Sequence, residues 1–216
     1  RIAKCINANP DEIYFTSGGS EANTLALNNR RNSASSKFEH HSVITDWPKI
    51  SVTKDGFIKS HKLNNMLSEW WEVPFDVMSC MYVNNEIGTI QPIKELSTIA
   101  HRYGIMIHTD AVQAMPYIPI DVKDLGCDML SVSGHKFGAP KGIGFLYANS
   151  RSRVKPMING GKQESYIRPG TENILGILAM TSALEYTMEH MDEHNKHIEA
   201  LRNRMLDKLL QIDDSH

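Results

Sequence analysis

The chain has 216 residues, 41% hydrophobic and 22% charged, enough apolar material for one packed domain or a large domain with an appendage. A formal net charge of −2 gives no electrostatic argument for nucleic acid or an anionic membrane as partner. No apolar run approaches the roughly 20 residues a membrane span needs, and three scattered cysteines (Cys5, Cys80, Cys127) make neither a disulfide framework nor a paired zinc motif. No secretory signal opens the sequence, so a reducing, cytoplasmic setting is expected. The opening RIAKCINANPDEI starts at Arg1 rather than methionine and reads as a helix running into a turn, as in a fragment or a processed product.

In chain order, IYFTS (13–17) is a short β-rich run that meets GGS, and EANTLALNN then carries helix formers, which predicts a strand, a glycine turn and a helix. Residues 28–36 are polar and read as a loop. SVI (42–44) and ISVT (50–53) are weak strand candidates, with Trp47-Pro48 and Asp55-Gly56 as turn signals. KLNNMLSEWW (62–71) suits a short amphipathic helix, and FDVMSCMYV (75–83) a buried strand ending at NNE. A helix is predicted from Pro92 to Gly104, with Ile93, Leu96, Ile99, Ala100 and Tyr103 on one face. Strands follow at 105–110, 128–133 and 143–148. From Asn173 to about Ile212 apolar positions recur at helical spacing, with Thr171 or Asn173 as cap.

Strands that alternate with helices predict an α/β fold: a mostly parallel sheet flanked by helices, with any ligand at the carboxyl ends of the strands. Polar residues collect at those ends as SGGS, NNE, HTDAVQ and SGHK. Each has an ordinary reading and a chemical one. SGGSE offers free backbone N–H groups, the Ser20 hydroxyl and a helix dipole to a phosphate, or is a plain glycine turn with Ser20 as cap; no lysine follows at Walker spacing. Asp110 closes an apolar strand and needs a cation or donors, which a protonated pyridine nitrogen or a structural partner supplies equally well. Lys136 is either a solvated loop lysine or, if sheltered from water, an imine-forming nucleophile. A phosphate turn, a carboxylate and a lysine at sheet ends are together the parts that hold pyridoxal 5'-phosphate.

The stretches FTSGGSEAN, FEHHSV, MYVNNEIGTIQPI, IHTDAVQ, DMLSVSGHKFGAPKGIGFLY and RPGTEN resemble, in order and at nearly the same spacing, the NifS-like cysteine desulfurases of the class V, fold-type I pyridoxal phosphate enzymes. Asp110 and Lys136 stand 26 positions apart, as that pattern implies. The resemblance implies a three-layer α/β/α large domain over residues 1–172, with 173–216 as a long helix leading towards a largely absent small domain. It implies Lys136 as the imine lysine, Asp110 as partner of the pyridinium nitrogen, and His40, rather than His41, stacked on the ring and assisting proton transfers. Gly19 and Ser20 match the phosphate turn, and Ser133 and His135 further phosphate contacts. Asn85 and Gln113 match residues at the substrate side and at the cofactor's phenolic oxygen. Thr171 matches a residue that reaches a phosphate across a dimer interface, so a homodimer is implied. The implied reaction takes sulfur from L-cysteine, leaving alanine and an enzyme persulfide, in sulfur metabolism and iron–sulfur cluster assembly, with a sulfur-acceptor protein as possible partner.

The resemblance is incomplete. In the family the sulfur-accepting cysteine lies on a loop well after the imine lysine, near an arginine that holds the substrate carboxylate. Here 80 residues follow Lys136 and none is cysteine. Cys5, Cys80 and Cys127 read as buried structural thiols, and the stretch from His41 to Gly56 is shorter than the family's. Another class V enzyme (a selenocysteine lyase or an aminotransferase) and a degenerate scaffold subunit remain as alternatives. HMDEH (190–194) fits an H-x-x-E-H zinc motif, but no third ligand is evident and no metal is expected. Lys196, Arg202, Arg204 and Lys208 are balanced by acids on the same helix and read as a solvated face.

Overall fold

The computed structural model describes residues 1–28, 30, 32–43, 49–69 and 75–212. Helix α1 (Ile2–Cys5) leads through the 3-10 turn Pro10–Glu12 into strand β1 (Ile13–Thr16), then α2 (Gly19–Leu27) and β2 (Ser33–Ser35). Helix α3 (Ser60–Ser68) precedes β3 (Val77–Ser79), α4 (Ile93–Arg102) and β4 (Met106–Asp110). Helix α5 (Val122–Leu125), β5 (Met129–Ser133) and β6 (Gly144–Ala148) follow, and α6 (Ile174–Glu189) and α7 (Met191–Leu209) come last.

The six strands form one sheet in the order β1-β6-β5-β4-β3-β2. The pairings from β5 to β2 are parallel, and β6 runs antiparallel to both its neighbours. Side chains alternate between two apolar layers. Met78, Ile107, Leu130, Val132 and Phe145 join the cluster that also holds α4 and α6, whereas Val77, Met129 and Leu146 join the α2 cluster. Both faces are therefore covered, as parallel strands require. Helix α4 begins after Pro92, buries Ile93, Leu96, Ile99 and Ala100, and stops before Gly104 at φ 73°.

Several expectations need correction. The predicted loop at 28–36 contains β2, a strand invisible to hydrophobic patterning because it reads Ser-Ala-Ser. Ala34 enters one apolar layer, and the two buried serines take the other side, where Ser35 Oγ accepts from Lys49 Nζ at 2.8 Å. The candidates at 42–44 and 50–53 are not strands: Ser42 and Val43 follow a turn, Ile50 makes only an isolated bridge to Ser36, and Ile44 and Trp47-Pro48 lie outside the described residues. The predicted strand 75–83 shrinks to Val77–Ser79, and Trp70 and Trp71 of the predicted helix 62–71 are also outside the described residues. The single helix expected after Asn173 is two, broken at His190, whose φ/ψ of −108°/10° leaves the helical region. Asn173, not Thr171, caps the first of them, accepting from Gly176 N–H at 3.0 Å.

One close approach ties the sheet to the turn above it. A Cβ on Gly144 would stand 2.4 Å from the Val132 carbonyl oxygen and 2.7 Å from Gly18 Cα, so β6 passes beneath the SGGS turn only as glycine. Gly144→Ala is expected to lower stability by about 1–3 kcal/mol, seen as a lower urea midpoint. An unchanged midpoint would show that the turn and strand separate freely.

Candidate active site

A cleft of about 460 Å3 opens at the carboxyl ends of β4 and β5, against the start of α2. Parallel α/β sheets place ligands there because the strands end in loops while helix N-termini point their amides at the same space. The SGGS turn forms one wall. Gly18 adopts φ 154° and ψ −175°, a region open essentially to glycine, and serves as N-cap without any side-chain capping bond. Ser20, expected as a possible cap, lies inside the helix, so capping does not consume its hydroxyl. Glu21 braces the turn by accepting from Ser17 N–H at 2.6 Å and pairing with Arg168 at 2.8 Å.

Asp110 forms the floor. It ends the central strand β4 with 1% of its surface exposed, accepting from Val112 N–H at 2.9 Å and Asn23 Nδ2 at 2.7 Å. Burial pushes its carboxyl pKa up; those two hydrogen bonds and the nearby His40 and Lys136 oppose the rise. Such a carboxylate suits a cationic N–H donor in the cleft.

Strand β5 delivers the third component. It ends at Ser133, and the 3-10 turn Gly134–Phe137 holds out His135 and Lys136, both exposed. Ser133 Oγ and His135 Nδ1 lie 2.9 Å apart, which orients the imidazole. Lys136 makes no hydrogen bond or ion pair within the described residues and lines the cleft with a free amine. It is open to solvent in this chain rather than sheltered.

The turn after β3 and the segment after β2 close the remaining side. Asn84 is buried, donates to the Phe38 carbonyl at 3.0 Å, and accepts from Glu86 and Ile87 N–H, which presents Asn85 to the cleft. His40 follows Glu39, whose carboxylate accepts from Ser36 Oγ, from Met81 N–H at 2.8 Å and from Ser79 Oγ at 3.1 Å. Glu39 as a residue is partly exposed, yet its carboxylate is enclosed by these donors, and burial pushes its pKa up to about 7. Ser79 Oγ also lies 2.8 Å from Nδ1 of the fully buried His108, whose Nε2 lies 2.8 Å from Ser131 Oγ. Burial pushes the His108 pKa down to about 3, so this ring is neutral.

Nine of the ten residues singled out from the sequence line this one cleft: Gly19, Ser20, His40, Asn85, Asp110, Gln113, Ser133, His135 and Lys136. Thr171 does not; its neighbours Gly170 and Glu172 line a small adjoining pocket with Ser17 and Gly142. Sequence reasoning missed Asn23, Ser42, Glu39 and Lys141. Only Asn23 left a signal, standing four residues after Gly19 and hence on the same helix face. No cysteine lines the cleft. Cys80 and Cys127 are buried and Cys5 partly so; burial raises all three thiols, Cys127 to about 12. In HMDEH, the His190 ring stacks on Tyr186 at 4.1 Å and lies 6.1 Å from that of His194; among the described residues no three His, Cys, Asp or Glu side chains group as metal ligands.

Glu39 and His108 have opposite consequences for stability. A carboxyl raised from 4.5 to about 7 contributes stability below pH 4.5 that is lost as pH rises through about 7. A histidine depressed from 6.5 to about 3 contributes above pH 6.5 and loses its contribution as pH falls towards 3. Glu39→Gln removes the first alone, so its stability relative to the parent chain should grow by about 3 kcal/mol between pH 4 and 8. Urea titrations across that range measure this, and a pH-independent difference would contradict the assignment.

The model of the aminotransferase class-V family matches residues 1–216. The cysteine desulfurase IscS of Dictyoglomus turgidum is 40% identical over 221 residues, covering 94% of this chain and 55% of the relative. A solved NifS-like protein from Rickettsia africae superposes with a TM-score of 0.89 at 32% identity, covering 99% of this chain and 62% of that one. A structure described as SspA in complex with cysteine gives a TM-score of 0.76 at 35% identity, over 85% of this chain and 58% of that one. The chain thus spans little more than half the length of the curated relative it matches. With the lysine turn, the glycine turn and the buried aspartate at matching strand ends, and a family match along its whole length, this chain belongs to the aminotransferase class-V family.

Proposed function

We propose that this chain is the cofactor-holding part of a pyridoxal 5'-phosphate-dependent cysteine desulfurase, with residues 1–172 as the cofactor-binding unit and 173–216 as its helical extension. The observation that carries the reading is the convergence of Lys136, Asp110, His40 and the uncapped α2 turn on one cleft. The residues fit the cofactor. Asp110 is buried with two neutral donors and a raised pKa, the environment in which a pyridinium N–H is the missing cation. The first amides of α2, Ser20, Ser133 and His135 suit a phosphate. Gln113, Asn85 and His40 line the same cleft; Gln113 and Asn85 would serve the phenolic oxygen and the substrate side, and the His40 ring would stack on the cofactor.

When bound, pyridoxal phosphate supplies an electron sink for bond breaking at the α-carbon of an amino acid. This chain's residues supply the rest. The Lys136 amine would anchor the cofactor covalently and would hold the substrate's α-proton on Nζ. Asp110 holds the pyridinium proton. Thr171, outside the cleft of its own chain, would reach a phosphate in a homodimer.

L-cysteine as substrate is supported by the names of the similar proteins. Sulfur passes to an acceptor thiol, so cysteine plus thiol gives alanine plus persulfide, with atoms balanced. None of Cys5, Cys80 and Cys127 lines the cleft, so the acceptor thiol is none of these three; an acceptor protein could supply it. That same observation favours, as second reading, another class V enzyme that needs no such thiol, such as a selenocysteine lyase or an aminotransferase. The free state of all three cysteines fits a reducing compartment such as the cytoplasm.

Purified chain mixed with pyridoxal phosphate should gain a visible absorbance band, and borohydride reduction should leave the cofactor on the Lys136 peptide by mass spectrometry. Lys136→Ala should lose both, with turnover down at least about 10²-fold. A colourless parent chain, or a variant that keeps the band, overturns the cofactor assignment. Alanine formed from L-cysteine with a small-molecule thiol as acceptor separates the first reading from the second.

A further inference from the structure

We propose that Asn23 and Ser42 are positioning residues: a hydrogen-bonded relay from Asp110 through Asn23 and Ser42 to His40 that holds the neutral His40 ring with its proton on Nε2. The ring then presents a donor, not a base, to the cleft. The inference rests on the proposed function for what fills the cleft, whereas the relay belongs to the chain itself.

The argument begins with Asn23, 1% exposed on α2 and lining the cleft. Its Nδ2 carries two hydrogens, and both are committed, to Asp110 Oδ2 at 2.7 Å and to Ser42 Oγ at 2.9 Å. An ionised carboxylate only accepts, so the amide must turn its nitrogen to Asp110. That orientation leaves Asn23 Oδ1 buried without a partner, a costly state for an acceptor. The side chain holds it because its donor side bridges two groups at once.

Ser42 passes the constraint on. Its Oγ accepts from Asn23 and keeps its single hydrogen to give to His40 Nδ1, 2.7 Å away. The Ser42 backbone N–H points at the same nitrogen at 3.1 Å. Two donors converge on Nδ1, which must therefore carry a lone pair, and the proton of the neutral imidazole sits on Nε2. Nε2 has no partner among the described residues. It is left to donate to an anionic substrate atom, a carboxylate or thiolate oxygen or sulfur of an amino acid, while the base role falls to the Lys136 amine. The same two hydrogens of Asn23 join Asp110 to Ser42 and through it to His40, so the two are positioned as one unit.

The test reads the ring nitrogens directly. Long-range 1H–15N correlation spectra of the full chain labelled at histidine, taken at alkaline pH with and without pyridoxal phosphate, show which nitrogen is protonated; His40→Gln assigns the signals. The parent chain should show Nδ1 as the unprotonated nitrogen and Nε2 as the protonated one. Ser42→Ala and Asn23→Ala should each shift the tautomer ratio about fivefold towards Nδ1–H, the effect of losing one hydrogen bond, and Ser42→Thr should restore it. A parent chain protonated at Nδ1 overturns the proposal, as does a folded alanine variant with the parent ratio. If Asn23→Ala fails to fold by circular dichroism, Ser42→Ala, at a partly exposed site, decides alone. The cofactor-free spectra keep the two ideas apart: failure to bind pyridoxal phosphate sinks the proposed function, and the wrong tautomer sinks the relay.

Discussion

At the end of the central strand, the buried Asp110 carboxylate accepts from one backbone N–H and one buried amide, with no cation among its hydrogen-bond partners in the described residues. Everything around the cleft is arranged with respect to that group. Helix α2 must lie close enough for Asn23 to reach it, and this brings the SGGS turn over β6, where only Gly144 allows the approach. The neighbouring β5 pairs Ser131 with Asp110 and runs two residues further, which sets Ser133, His135 and Lys136 beside it. A buried carboxylate is expensive unless something pays it back. Here the fold supplies two neutral donors and leaves the remainder to whatever enters the cleft.

The sheet accomplishes this through a division along its length. On the face towards α2 the strands begin apolar, with Val77, Met106 and Met129, and end polar, with Ser79, His108, Asp110, Ser131 and Ser133. The opposite face is apolar apart from Thr109, whose hydroxyl donates to the Cys80 carbonyl at 2.7 Å. The polar groups pair with one another across strands, Glu39 with Ser79, Ser79 with His108, and His108 with Ser131, so their burial is compensated without a charge. A hydrogen-bonded band lies directly behind the cleft, and burial shifts two of its groups, Glu39 upward against its hydrogen bonds and His108 downward, so that both are uncharged near pH 6.

Much of this was legible along the chain. Pro92 and Gly104 bound α4, and the apolar runs ending in HTD and SVSGHK became β4 and β5 with their polar residues at the carboxyl ends. What misled was local pattern without apolar content. Ser-Ala-Ser carries no strand signature, because its burial is satisfied by the ladder to β3 and by Lys49 donating to Ser35 Oγ rather than by its own hydrophobicity. The break at His190 is equally silent, since apolar spacing continues through it and only the backbone departs from helix.

The sequence by itself determined the kinds of chemistry and their places on the chain: a glycine turn before a helix, an acid and a lysine each closing an apolar strand, and no cysteine after that lysine. Those are local properties, read from residue type and periodicity. Only the tertiary structure decided that β6 runs against its neighbours and that β2 forms the edge. It alone showed that Thr171 stands outside the cleft, and that Asn23, Ser42 and Glu39 join groups up to 87 positions apart. Hydrogen bonds between distant segments depend on strand register and on which face each side chain takes, and neither is encoded within any one stretch of the chain.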